Sequence, residues 1–216
     1  MKFGAGIALC ALAVCGGCVA GPNPSQISWE WFNVAETYKA YPRRTEADLR
    51  ISAHYYALAA NKGNAAAAYK LAEMYENGAG VAKDDDAALK WYRAAAVAGD
   101  KYGQFRVGWF YQHGLSTPKD MQQARLWYER SAKQDNEWAY HMLAFMLADG
   151  DGVGQDTALA RTYFERSLPR TNDNWAKWKL AMLVEDSDPR RARQLLAESA
   201  AAGNVQAGEE LRRKDW

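Results

Sequence analysis

Three histidines, His54, His113 and His141, are the side chains best suited to move a proton or hold a metal near neutral pH. None has a second histidine or a cysteine at metal-ligand spacing, so no zinc-type site can be read. Nucleophilic catalysis of the Ser-His-Asp or Cys-His kind would need a recognisable elbow or motif around its nucleophile, and the chain contains none. Asp84-Asp85-Asp86 gathers three carboxylates, but not at the alternating spacing of a calcium loop. A helix start explains them better, with one acid capping and two solvated in the first turn. The glycine-rich stretches 78–80 and 150–154 follow no strand pattern, so they lack the context of a phosphate-binding loop. His141 shares its repeat position with Tyr69, Phe105 and Trp178, which predicts packing rather than catalysis. The expectation is no catalytic centre, no metal and no cofactor.

The stretch Asp84 to Gly99 returns along the chain with a period of 36 residues. The aromatic pair Trp91-Tyr92 is matched by Tyr55-Tyr56, Trp127-Tyr128 and Tyr163-Phe164, and Leu195-Leu196 closes the series after 32. The acid ahead of each pair runs Asp48, Asp84, Asp120, Asp156 and Asp188. Ala88, Trp91, Tyr92, Ala95 and Ala96 fall on one face of a helix, here helix B of the unit. Asp84, Asp120, Asp156 and Asp188 are expected as N-caps, Pro189 as a first helical residue, and Gly99 and Gly203 as left-handed ends. A second helix, A, precedes each, carrying Ala67, Leu71, Ala72, Tyr75 and then Gly103, Val107, Gly108, Tyr111. Its small residues predict close approach to helix B. Gly78, Gly114 and Gly150 end it, and Val81 or Val153 plugs the loop that follows.

The spelling A-x-Y-x-L-A-x-x-Y-x-x-G-x-G-V-x-x-D-x-x-x-A-x-x-W-Y-x-x-A-A-x-x-G from Ala67 to Gly99 resembles the Sel-one-like repeat (SLR) family, relatives of the tetratricopeptide repeat. The resemblance covers roughly Ala47 to Trp216. The third unit departs from it with Leu147 for the tyrosine and Asp135 for the preceding glycine, and the fourth drops about five loop residues. The resemblance implies an all-α, right-handed α-solenoid of antiparallel helix pairs and a non-enzymatic protein-binding role. A cysteine-rich secreted branch of the family is linked to penicillin binding and β-lactamase activity, but that branch staples its helix pairs with disulfides. Here all three cysteines, Cys10, Cys15 and Cys18, precede the repeats. A self-associating structural envelope protein is the remaining alternative.

Residues 1–18 combine Lys2, an uncharged run and a small-residue exit, the pattern of a secretory signal, and the apolar run is short for a membrane span. The small residues before Cys18 resemble a bacterial lipoprotein box, with Cys15 where leucine is usual. That implies lipidation of Cys18, and Val19 after it implies an outer-membrane anchor facing the periplasm. Loss of Lys2 with the signal leaves 26 basic against 26 acidic side chains, a neutral balance that argues against nucleic acid as partner.

The units are then 19–26, a tether; 27–63, a degenerate first pair; 64–99, 100–135 and 136–173, repeats; 174–203, a shortened repeat; and 204–216, a capping helix with Glu209, Glu210, Arg212 and Arg213 outward. In related solenoids the A helices line the concave side, with the inward positions five before and two after the core Leu or Val. The resemblance therefore implies a partner-binding row of Tyr102 and Trp109, Trp138 and Phe145, Trp175 and Met182, following Ala66 and Glu73. Such residues are enriched in interface hot spots. A protein or peptide is the implied partner. The other reading of the same row is mutual burial, or cover by Trp29, Trp31 and Phe32.

Overall fold

A computed structural model of the chain describes residues 23–40, 45–152 and 154–213. Residues 1–22, with Cys18, the segment expected to be a signal and most of the expected tether, lie outside the described residues, as do 41–44, Val153 and 214–216. Eleven helices are described: α1 (Pro24–Lys39), α2 (Glu46–Asn61), α3 (Ala65–Asn77), α4 (Asp85–Val97), α5 (Lys101–His113), α6 (Met121–Ala132), α7 (Glu137–Asp149), α8 (Thr157–Thr171), α9 (Asn174–Val184), α10 (Pro189–Ala201) and α11 (Val205–Arg213). Each helix packs chiefly on its chain neighbours, giving an all-α solenoid of helix pairs closed by α11.

The helix starts follow from side-chain caps. Asp84, Asp120, Asp156 and Asp188 each accept from a first-turn N–H at 2.9 Å, those of Ala87, Gln123, Leu159 and Arg191. The A helices begin on Asn64, Asp100, Asn136 and Asp173, which accept from Ala67, Gly103, Trp138 and Ala176. Each such cap contributes about 1 kcal/mol. Asn23 and Gln26 form a capping box, with Pro24 in the first turn, so α1 starts inside the segment expected to be tether.

Gly78, Gly114 and Gly150 end their helices in the left-handed conformation. Gly80, two residues into the loop, is needed for a second reason. A Cβ there would lie 2.4 Å from the Leu49 carbonyl carbon, so the loop touches α2 backbone to backbone. At the position of Gly99 the next units place Asp135 (φ 53°) and Asn172 (φ 45°), residue types that tolerate this region.

The core is a ladder. Tyr56, Tyr92, Tyr128, Phe164 and Leu196, the second residue of each repeated pair, are at most 1% exposed. The first residues, Tyr55, Trp91, Trp127 and Tyr163, are only half-buried. The pair is thus asymmetric: the second residue faces the A helix of its own unit, as Tyr92 does Tyr69 and Tyr128 does Phe105, while the first packs back on the preceding cluster, Trp91 on that of α1–α3 and Trp127 on that of α3–α5. Glycine at 108 is required by this packing, since a Cβ would come 2.7 Å from the Tyr128 ring. Buried residues link the units: Ala72 of α3, Tyr92 of α4, and Val107 and Phe110 of α5 form one cluster. Trp31 and Phe32 pack with Ala35 and Tyr56 in the first cluster and do not cover the later A helices.

Candidate partner-binding surface

Because every A helix is capped at the same register, the second residue after each cap recurs on the same side: Ala66, Tyr102, Trp138 and Trp175. The last three are 42%, 48% and 50% exposed, large rings held out in solvent by helices whose opposite faces are buried. The other three residues of the row behave differently. Trp109 is half-buried, with its ring centroid 3.8 Å from that of His113, whose Nδ1 lies 2.9 Å from the Trp109 carbonyl oxygen. Phe145 meets the buried Phe164 edge-on at 5.0 Å, and Met182 packs on the last core cluster. The structure therefore divides the sequence-derived set. Tyr102, Trp138 and Trp175 form the exposed part, and Trp109, Phe145 and Met182 form a deeper part shared with the core.

Beneath the exposed rings runs a second aromatic row, Tyr69, Phe105, His141 and Trp178. The Tyr102 ring lies 6.0 Å from Tyr69, Trp138 lies 6.5 Å from His141, and Trp175 meets Trp178 edge-on at 5.8 Å. His141 is 7% exposed and sits 5.0 Å from Phe145, which makes it a packing residue. Burial pushes its imidazole pKa down, against the opposing charge of Asp173. Its Nδ1 and the Trp178 Nε1 are buried with no hydrogen-bond partner among the described residues.

The surface changes character between units. On α3 and α5 it is polar: Glu76 accepts from the Tyr92 hydroxyl at 2.6 Å and pairs with Arg106, whose guanidinium lies 5.2 Å over the Tyr92 ring. Burial, and then the Glu76 carboxylate, push the Tyr92 phenol well above its ordinary range. Lys70 pairs with Glu73 at 2.9 Å on the same stretch. On α7 Met142, Phe145 and Ala148 take the positions of Lys70, Glu73 and Glu76, and on α9 Lys179 restores a cation, paired with Asp149, beside Met182. The sequence could not reveal the Tyr92–Glu76–Arg106 cluster, since its members come from three helices.

Among the described residues no three His, Cys, Asp or Glu side chains come together as a metal site, and no helix is long and apolar enough to cross a membrane. His54 and His113 are exposed.

Comparison with known proteins agrees with this fold. The solved structure of a protective antigen present in uropathogenic Escherichia coli strains, described as displaying an SLR fold, superposes with a TM-score of 0.74 at 25% identity over 85% of this chain and 40% of its own. A Sel1 repeat protein from Oxalobacter formigenes superposes at 0.66, with 27% identity over 88% of this chain and 77% of its own. The chain thus spans two fifths of the length of the first relative and most of the second. No curated protein matches the sequence. The Sel1 repeat family model matches residues 40–64, 65–100, 101–136, 139–168 and 181–204. Proteins built of these repeats generally mediate protein–protein interactions on a scaffold that is generally non-catalytic. Matched in five units that make up more than half of its residues, the chain belongs to the Sel1 repeat family.

Proposed function

We propose that this chain is a non-enzymatic binding adaptor of the bacterial cell envelope, which holds an apolar segment of a partner protein along the A-helix face of its second to fourth units. The observation that carries the reading is the exposed row of Tyr102, Trp138 and Trp175, one ring per unit in one register. Exposed aromatic rings in a row are costly to solvate and are typical anchors at protein interfaces. Trp109, Phe145 and Met182 form the wall behind them. The anchor in this reading is a lipid on Cys18, which places the solenoid at a membrane surface, in the periplasm. Only about five residues separate that cysteine from the first helix.

The test uses the purified domain as bait against solubilised envelope, followed by affinity measurement with the partner recovered. Trp138→Ala and Trp175→Ala should each weaken binding by ~2 kcal/mol or more. Val97→Ala, an 81% exposed apolar residue on a B helix, should leave it unchanged. Equal affinity for all three variants would overturn the proposed surface.

A further inference from the structure

Asn64 breaks the pattern of its own repeat position. At the equivalent cap of α7, the Asn136 side-chain amide donates to the Ser131 hydroxyl at 2.8 Å and to the Lys101 carbonyl at 3.3 Å. The Asn204 amide reaches the Asn174 carbonyl. The Asn64 Oδ1 accepts from the Ala67 N–H, which fixes the orientation of the amide and leaves Nδ2 as a pure donor. That nitrogen is buried in a residue 6% exposed and has no partner among the described residues. The cause is readable: the position of Ser131 is Ala59 in this unit.

The second departure is space. Where later units carry Tyr102, Trp138 and Trp175 after the cap, this one carries Ala66, and Asn64 lines a cavity of about 400 Å³ together with Ser25, Trp29, Lys62 and Asp100. The Ala65 and Ala66 N–H groups stand in the first turn of α3, where no intrahelical acceptor exists and the helix dipole favours negative charge. Trp29, 53% exposed, supplies an apolar wall. A buried, unsatisfied amide donor, a 13-residue helix pointing its N-terminus at the same cavity and a lysine at its edge share one complement, an anionic oxygen.

We propose that this cavity binds a carboxylate carried on a small apolar group, with one oxygen accepting from Asn64 Nδ2 and the apolar part lying on Trp29. The carrier is either a free small molecule or a residue of a partner polypeptide. The site is separate from the exposed aromatic row and stands or falls independently of it. Asp100 is the one opposing charge in the lining. It is engaged as the cap of α5, where its carboxylate accepts from the Gly103 N–H at 2.6 Å. The Asn64 nitrogen is covered, so the incoming oxygen displaces neighbouring side chains slightly, and Trp29 reports the event.

The array itself supplies the test substitutions, because both Asn and Asp serve as caps at this position. N-acetyl-L-leucine titrated into the intact domain should change Trp29-dependent fluorescence, the part of the signal absent in Trp29→Phe, while N-acetyl-L-leucinamide should not. Acetate alone should bind more weakly, and an N-acetylated tripeptide ending in leucine should bind at least as well if the carrier is a polypeptide. Asn64→Asp, which keeps the cap and removes the donor, should lower affinity about tenfold or more. Asp100→Asn should raise it, and Lys62→Ala should lower it about threefold. Circular dichroism of each variant confirms the fold. Equal response to acid and amide, or binding strengthened by Asn64→Asp, overturns the proposal.

Discussion

The Tyr92 hydroxyl donates to the Glu76 carboxylate at 2.6 Å, and one period later the Tyr128 hydroxyl donates to Gln112 at 2.5 Å. A period further on, both members change together: the buried ring is Phe164 and the acceptor position is Ala148. Over these three periods hydroxyl and acceptor are present as a pair or absent as a pair, and the Tyr56 hydroxyl, whose equivalent position is Ala40, is met instead by Glu36, as the desolvation of a buried polar group requires.

That pairing can be tested in the third unit. Phe164→Tyr alone places a hydroxyl opposite Ala148 and should cost ~1 to 3 kcal/mol in denaturant unfolding. Adding Ala148→Gln should recover part of the loss, a coupling visible in a double-mutant cycle. Strict additivity would mean that the hydroxyl does not reach the position of residue 148.

The ladder sets a clear order of side-chain contributions in the second unit. Asp120→Ala removes a cap and should cost ~1 kcal/mol. Tyr128→Ala empties a fully buried position and should cost ~3 to 5 kcal/mol, and should broaden the unfolding transition by uncoupling neighbouring units. Trp127→Ala should fall between them, since that ring is half-buried. Urea unfolding of the three variants checks the order.

His141 makes a pH-dependent contribution. Its folded-state pKa is lowered by burial, so below the unfolded imidazole value of about 6.5 the unfolded chain takes up a proton that the folded chain refuses. Stability from this residue is complete above that pH and declines as pH falls below it, with Asp173 tempering the loss. His141→Phe, which copies Phe105 of the preceding unit, should flatten the difference in Tm between pH 7.5 and pH 5.5. An unchanged slope would place the dependence on other groups.

The proposed lipid anchor at Cys18 carries its own prediction. Cys18→Ser should release the protein from the membrane fraction or leave it unprocessed, because acyl chains on that thiol would supply ~0.8 kcal/mol per buried CH₂. Cys10→Ser and Cys15→Ser should fractionate as the wild type does. Identical fractionation of all three variants would refute lipidation at Cys18.

The period, the B-helix caps and the glycine helix ends were legible because each depends on a local residue type at fixed spacing. Asp84, Asp120, Asp156 and Asp188 all cap as their sequence context implies. The start of α1 was not, since Asn23 and Gln26 supply a capping box ahead of the first apolar residue. Spacing alone could not say which ring of each aromatic pair is buried. Both lie on the face turned to the core, and only the position of the neighbouring A helix separates Tyr128 from Trp127. The same limit applies to the proposed binding row. Residues two after the core position pack against the core clusters, Phe145 on Phe164 of α8, so Trp109, Phe145 and Met182 are half-buried while Tyr102, Trp138 and Trp175 stand out. The unsatisfied Asn64 amide needed three dimensions, because its missing partner is set by Ala59 on another helix.

Photo-crosslinking in intact cells, with a photoreactive residue in place of Trp138, of Trp175 or of Val97, tests whether the A-helix face meets a partner. Discrete adducts with one partner protein are expected from positions 138 and 175, and none from position 97, although Val97 is the most exposed of the three. Adducts from position 97 alone, or equally from all three, would contradict an A-helix binding face.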